Sequence, residues 1–405
     1  MSGRADRTGA ACVANGSAPD VDAADDRLGR AGALPPERVG QPATQDMGQQ
    51  AVGTGHSGGQ AGVPAGSGPG SADAMQAEGM GERHTHACVI GAGRIGEGIA
   101  LAFALAGQTV ALIDLKAREA TAQLACFTAL RQSLDEQLGS LHHAGLLSAA
   151  QCSEVLARIA LVPLPQAAAA LVGQSLVFEA LPERLEVKRE GLGWLGQHVH
   201  PDAIIASTTS TFRVSELAAM LPGPQRVLVA HWLNPAHLMP LVEISRSPAS
   251  LDSAVQRLSD GLQAIGKVPV VCGPCAGFIV PRLQALVMNE AARMVEEGVA
   301  SVADIDTAVR NGLGLRFSVL GALEFIDWGG GDTLYQASHY LSGELGERFA
   351  PAPRVQAHFH AGRNGLCDGA GFYDYHGVDT VHYRQQRLAA FVTRLEQMGL
   401  LPRIA

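Results

Sequence analysis

A glycine turn between two short apolar runs constrains this chain more than any other feature. The stretch HACVIGAGRIGEGIALAFALAGQTVALIDL, from His86, reads as strand, turn, helix, strand. The first strand is expected at Ala87 to Ile90 and the second at Thr109 to Asp114, with Ile99, Phe103 and Ala106 on the buried side of the helix between them. In this setting each glycine has a separate task. Gly91 permits the tight turn, Gly93 lets the backbone approach a pyrophosphate at the helix N-terminus, and Gly96 allows close packing of helix on strand. Ile95 lies within the same phosphate-binding turn. Asp114 closes the second strand eighteen residues after Gly96, where a carboxylate accepts hydrogen bonds from ribose hydroxyls and repels a 2′-phosphate. The expected ligand is therefore NAD rather than NADP.

Further strands are expected around Ile159 to Val162, Ser175 to Glu179, Ala203 to Ser207, Arg226 to His231, Pro240 to Ile244 and Val268 to Cys272. Their spacing predicts an α/β fold with a Rossmann-type doubly wound sheet. After Gly273 the pattern turns helical. RLQALVMNEAARMVEEGVA puts Leu283, Leu286, Val287, Met294 and Val295 on one stripe, and Ser301 is placed to cap the next helix. The expected organisation is a tail over 1–83, a nucleotide-binding domain over 84–273 and an all-α domain over 274–405.

The tail contains no Phe, Trp, Tyr or Ile and is rich in Gly, Ala, Ser and Pro. Such a segment buries too little apolar surface to offset its ordering entropy, so it is expected to be disordered. Translation beginning at Met75 or Met80 is an alternative account of it. The formal charge of −9 over 405 residues argues against nucleic acid as a partner. No apolar run reaches the length of a membrane span, and no secretory signal opens the chain. Seven scattered cysteines fit a reducing cytoplasm. The pair in CGPC, Cys272 and Cys275, has no second pair at metal spacing, so no metal site is expected.

In an open parallel sheet, ligands bind beyond the C-terminal strand ends. Three separate strands end there in polar residues: SLVFEALPERLEVK with Glu179, Glu183 and Lys188; AIIASTTSTF with Ser207 to Ser210; and RVLVAHWLNP with His231 and Asn234. Oxidising an alcohol with a nicotinamide also releases the hydroxyl proton, so a base must lie within reach, and histidine suits that task. A carboxylate on its second nitrogen would fix the tautomer. Glu243 reaches His231 only if residues 233 to 239 fold back as a hairpin. An ordinary strand-end histidine is the competing reading.

IGAGRIGEGIA, EALPERLEVK, ASTTST, HWLNPAHLMPLVE and AGFIV occur in this order, with a weaker echo in GAGFYDY. Together they resemble the L-3-hydroxyacyl-CoA dehydrogenase family over about residues 86 to 340. The resemblance implies a Rossmann domain followed by a helical dimerisation domain, NAD as oxidant, a homodimer and a place in fatty acid metabolism. It puts the general base on His231, its orienting carboxylate on Glu243 and the substrate-contacting hydroxyl on Ser210. It also puts the acid near the nicotinamide ribose on Glu183, with Lys188 beside it, and Asn234 near the substrate. Two departures bear on that substrate. Pro281 stands in GFIVPRL where the family usually has Asn, and so offers neither a side-chain donor nor an N–H. GLGLRFSVLGALEFID, with Arg316, replaces a YPMGP-like segment and is more similar to the gulonate dehydrogenase/lambda-crystallin and carnitine dehydrogenase branches. No lysine occurs between Lys116 and Lys188, where acyl-CoA relatives tend to carry them. An L-3-hydroxyacyl-CoA is the expected substrate. A small free 3-hydroxy acid paired with Arg316, and a non-catalytic NAD-binding protein, are the alternatives.

Overall fold

The structure is a computed structural model and describes residues 37–38 and 87–403. The tail expected to be disordered lies outside the described residues, apart from Glu37–Arg38. That pair forms a two-residue parallel ladder with Tyr373–Asp374.

The described chain forms two compact units that part after Glu297. The first holds an eight-stranded sheet. Its strands are β1 (Ala87–Ile90), β2 (Val110–Asp114), β3 (Ile159–Pro163), β4 (Leu176–Glu179), β5 (Ile204–Ser207), β6 (Val227–Trp232), β7 (Leu241–Ser245) and β8 (Val268–Cys272). The spatial order is β3-β2-β1-β4-β5-β6-β7-β8. Every neighbouring pair is parallel except β6–β7. The order reverses between β1 and β4, which makes the crevice at their C-terminal ends the switch point where a ligand is expected. The eight expected strands are all present, with ends shifted by at most one residue, as befits boundaries set by hydrogen bonding rather than by composition.

Strands β1, β2, β4 and β6 are buried along their whole length, as strands covered on both faces must be. One face packs Phe103 of α1 (Arg94–Leu105) against Phe178 and Trp232. The other packs Ile90, Ile113 and Val177 against Leu192 and Leu195 of α5 (Leu185–His198). Helix α2 (Ala120–His143) adds Leu134 and Leu138 to the first face.

Helix α8 (Val280–Glu296) groups with this sheet unit, whereas the change of pattern had put the boundary near Gly273. Hydrogen bonds from the first residues of α8 to β7 bind it to the sheet. The second unit is helical. Asp327, nearly fully buried, accepts from Phe372 N, Tyr373 N and Tyr375 Oη, which fastens the GAGFYDY segment to its helix. No helix of the described residues is long and apolar enough to cross a membrane.

Candidate active site

A cleft of about 1160 Å³ opens at the switch point, lined by Gly91 to Ile95, Asp114, Arg118, Leu181, Glu183, Thr208 and Ser210 among others. Gly91 has φ +106°, and a Cβ there would stand 2.5 Å from the Ala180 carbonyl oxygen. A Cβ on Gly96 would stand 1.9 Å from the carbonyl oxygen of Gly91, so the start of α1 can only lie this close to β1 without one. A Cβ on Gly93 would meet nothing within 4 Å. That open side is the space a pyrophosphate needs at a helix N-terminus.

Asp114 ends β2 with its carboxylate nearly buried. It accepts from Lys116 N at 3.2 Å and from Arg118 Nε at 2.7 Å. The ion pair with Arg118 was not legible in the sequence, because it depends on how the chain turns after the strand.

Glu179 is fully buried at the end of β4. It takes Lys188 Nζ at 3.0 and 3.2 Å, the Ser207 hydroxyl and the Leu181 amide. Lys188 is itself fully buried and pairs also with Glu183 at 3.3 Å. Its ammonium is directed to these two carboxylates and to the Leu181 carbonyl, and Lys188 is not among the residues lining the cleft. The buried carboxylate of Glu179 and the cleft-side carboxylate of Glu183 around one ammonium meet the requirement that interior charge be paired.

Glu183 lines the cleft. Its Oε1 accepts from the Thr209 hydroxyl, the Ser210 amide (3.1 Å), the Thr211 amide (3.0 Å) and the Thr211 hydroxyl (2.7 Å). Burial by itself pushes this carboxyl up. The hydroxyl bonds from Thr209 and Thr211 and the charge of Lys188 outweigh that and hold it below the usual carboxylate range. Thr209, Ser210 and Thr211 are thus wrapped around one carboxylate, which fixes Ser210 at the rim.

His231 lies in β6, two residues beyond Val229, the register partner of Ser207 in β5. His231 and Ser210 therefore issue from the C-terminal ends of adjacent parallel strands. On its other side His231 is the register partner of Glu243, across the antiparallel β6–β7 pair. The hairpin that had to form does form. His231 Nδ1 stands 2.8 Å from Glu243 Oε2, with Glu243 wholly buried and His231 7% exposed. The second oxygen of Glu243 accepts from the Ile279 and Val280 amides, both at 2.8 Å.

The connecting loop carries Asn234, which is exposed. Lys267 Nζ donates to three carbonyls of that loop, those of Ala236 (2.8 Å), His237 (3.2 Å) and Met239 (2.8 Å). Burial pushes Lys267 down to about 8. A lysine before a strand carries no such signal in the sequence. Arg316 belongs to the helical unit. It follows a π-helical turn, Val309–Gly314, and its guanidinium lies 5.5 Å from the centre of the Phe325 ring. Cys272 and Cys275 are free, and the Cys272 thiol is pushed up to about 11 by burial and by its neighbours Cys275 and Glu243.

Residues 86–275 match the NAD-binding domain of 3-hydroxyacyl-CoA dehydrogenase, and residues 277–375 match the C-terminal domain of the same enzymes. The chain is 32% identical over 297 residues to 3-hydroxybutyryl-CoA dehydrogenase of Bradyrhizobium diazoefficiens, covering 73% of this chain and 97% of that one. It is 34% identical over 289 residues to 3-hydroxyadipyl-CoA dehydrogenase of Escherichia coli, covering 71% of this chain but only 58% of the relative's length. A solved 3-hydroxyacyl-CoA dehydrogenase from Archaeoglobus fulgidus superposes with a TM-score of 0.62 at 32% identity, covering 78% of this chain and all of that one.

Proposed function

Because this chain belongs to the 3-hydroxyacyl-CoA dehydrogenase family, an NAD-dependent group of oxidoreductases acting on 3-hydroxy substrates, we propose that it oxidises a short-chain L-3-hydroxyacyl-CoA to the 3-oxoacyl-CoA. The hydrogen-bonded His231–Glu243 pair carries the reading.

Oxidation of the C3 alcohol removes a hydride from carbon and a proton from oxygen. The turn from Gly91 to Ile95 and the Asp114 carboxylate would hold NAD, which would supply the hydride acceptor when bound. His231 takes the proton on Nε2, since its Nδ1 is engaged by Glu243. With Glu243 on that side, the neutral imidazole carries its hydrogen on Nδ1 and presents a free lone pair on Nε2. The charge that develops on the ring is then balanced by a carboxylate already held in place, which lowers the cost of forming an imidazolium in a nearly buried position. Ser210, fixed by the bond from its amide to Glu183, offers its hydroxyl to the substrate oxygen. Lys188 acts one step back, holding Glu183 beside the cofactor cleft. Asn234 and Arg316 are substrate-side residues in this reading, and the protein works as a homodimer.

The second reading, a free 3-hydroxy acid, is favoured by two features. Pro281 removes a polar contact at the start of α8, and Arg316 offers a planar fork suited to a carboxylate. Steady-state kcat/KM for 3-hydroxybutyryl-CoA against free 3-hydroxybutyrate, gulonate and carnitine separates the two. Preference for the thioester by a wide margin supports the proposal, and preference for a free acid overturns it. Absence of turnover with every one of them would favour a non-catalytic NAD-binding protein.

A further inference from the structure

We infer that Phe278 is a positioning residue for both members of the His231–Glu243 pair, one through its ring and the other through its backbone. The inference rests on the reading of His231 as the base.

The ring comes first. Phe278 is 4% exposed, and its centroid lies 5.1 Å from that of His231 with 28° between the planes. One face of the imidazole is therefore covered by a phenyl group. A covered face limits rotation of the imidazole about χ2 and keeps water off that side.

The backbone follows. Phe278 has φ +45°, and among the described residues it is the one non-glycine residue with positive φ. A bulky side chain adopts the left-handed region only where its surroundings impose it. Here the turn sends the chain directly into α8, so that the amides of Ile279 and Val280 converge on a single oxygen of Glu243. The other oxygen is left for His231. The remaining first-turn amides need no ligand. Pro281 has none, and Arg282 N donates to Gly277 O at 3.0 Å. Pro281 thus suits a helix start whose free amides are all committed to one carboxylate.

The test compares Phe278→Leu, which keeps bulk, with Phe278→Tyr, which keeps the aromatic face, alongside His231→Gln, all in the full chain with NAD and 3-hydroxybutyryl-CoA. Phe278→Leu is expected to lower kcat about tenfold, since small misplacement of a reacting group is costly. It should leave the NAD dissociation constant unchanged. Phe278→Tyr should restore kcat. Parental kcat in Phe278→Leu, or equal impairment in Phe278→Tyr, would overturn the inference. A readout independent of any variant at 278 is the proton spectrum of the unmutated protein. The His231 ring protons, identified by their loss in His231→Gln, should be shifted upfield by the overlying ring, and an unshifted resonance overturns the stack. Parental turnover in His231→Gln would remove the base assignment and this inference with it. An inactive His231→Gln beside an unimpaired Phe278→Leu would remove only the role of Phe278.

Discussion

His231 and Glu243 are direct register partners across the antiparallel β6–β7 pair, and the imidazole Nδ1 meets the carboxylate Oε2 at 2.8 Å. The two strands, joined by residues 233 to 240, set this contact as a property of sheet register. A one-residue slip would send one of the two side chains to the opposite face. The antiparallel step in an otherwise parallel run of strands is therefore what brings acid and base together.

Replacing His231 with Ala should reduce kcat by about 10²–10⁴-fold, the usual contribution of a positioned general base, with NAD affinity retained. Glu243→Gln should also slow the reaction. Its amide must either present NH2 to the imidazole, forcing the wrong tautomer, or oppose two backbone N–H donors. Steady-state kinetics with isothermal titration of NAD separates the two effects. Near-parental turnover in His231→Ala would leave it as an ordinary strand-end residue.

Asp114→Ala should weaken discrimination between the two nicotinamide dinucleotides from both sides. It removes the acceptor for ribose hydroxyls, and it releases Arg118, whose Nε now donates to Asp114 at 2.7 Å. The freed guanidinium is then available to a 2′-phosphate. The kcat/KM ratio for NAD over NADP should fall in the variant, and an unchanged ratio would show that Asp114 does not govern the choice.

Glu183 gives a prediction in pH. Its carboxyl is held below its ordinary value of 4.5 in the folded protein. A depressed carboxylate contributes stability that is present above the unfolded value and is lost as pH falls through the folded one. Glu183→Gln should therefore unfold at lower urea concentration than the parent near neutral pH, and the two midpoints should converge as pH falls below the ordinary value of 4.5 and through the depressed folded one. A gap that stays constant across that range would place its origin elsewhere than in the charge.

Lys267→Met should loosen the loop between β6 and β7. The carbonyls of Ala236, His237 and Met239 would lose their shared donor. Leaving such buried acceptors unpaired costs about 1–3 kcal/mol. Urea melts should register that loss, and hydrogen exchange at Leu238 and Met239, whose amides both bond to Pro235 O, should quicken. NAD affinity should be unaffected, since the cofactor cleft is built from other strand ends. Unchanged exchange in the loop would show that the ammonium is not what ties it.

Local pattern carried the nucleotide fold. The spacing of Gly91, Gly93, Gly96 and Asp114 is set by one strand–helix–strand unit, so its geometry depends on near neighbours in the chain. The eight strands were legible for the same reason, as apolar runs bounded by turn residues. Glu183, Ser210 and His231 could be named as candidates because they lie at or just beyond strand ends, and Glu243 because a hairpin would carry it to His231. What was not legible is what those side chains touch. Lys188 buried between Glu179 and Glu183, Arg118 on Asp114, Lys267 under the loop and the α8 amides on Glu243 all depend on how distant segments pack. The sequence by itself determined the order of elements and the residue types at each strand end, because periodicity and turn chemistry act over a few residues. Only the tertiary structure decided which of those residues became paired charges, because pairing depends on register and burial, and these are fixed when strands far apart in sequence meet in one sheet.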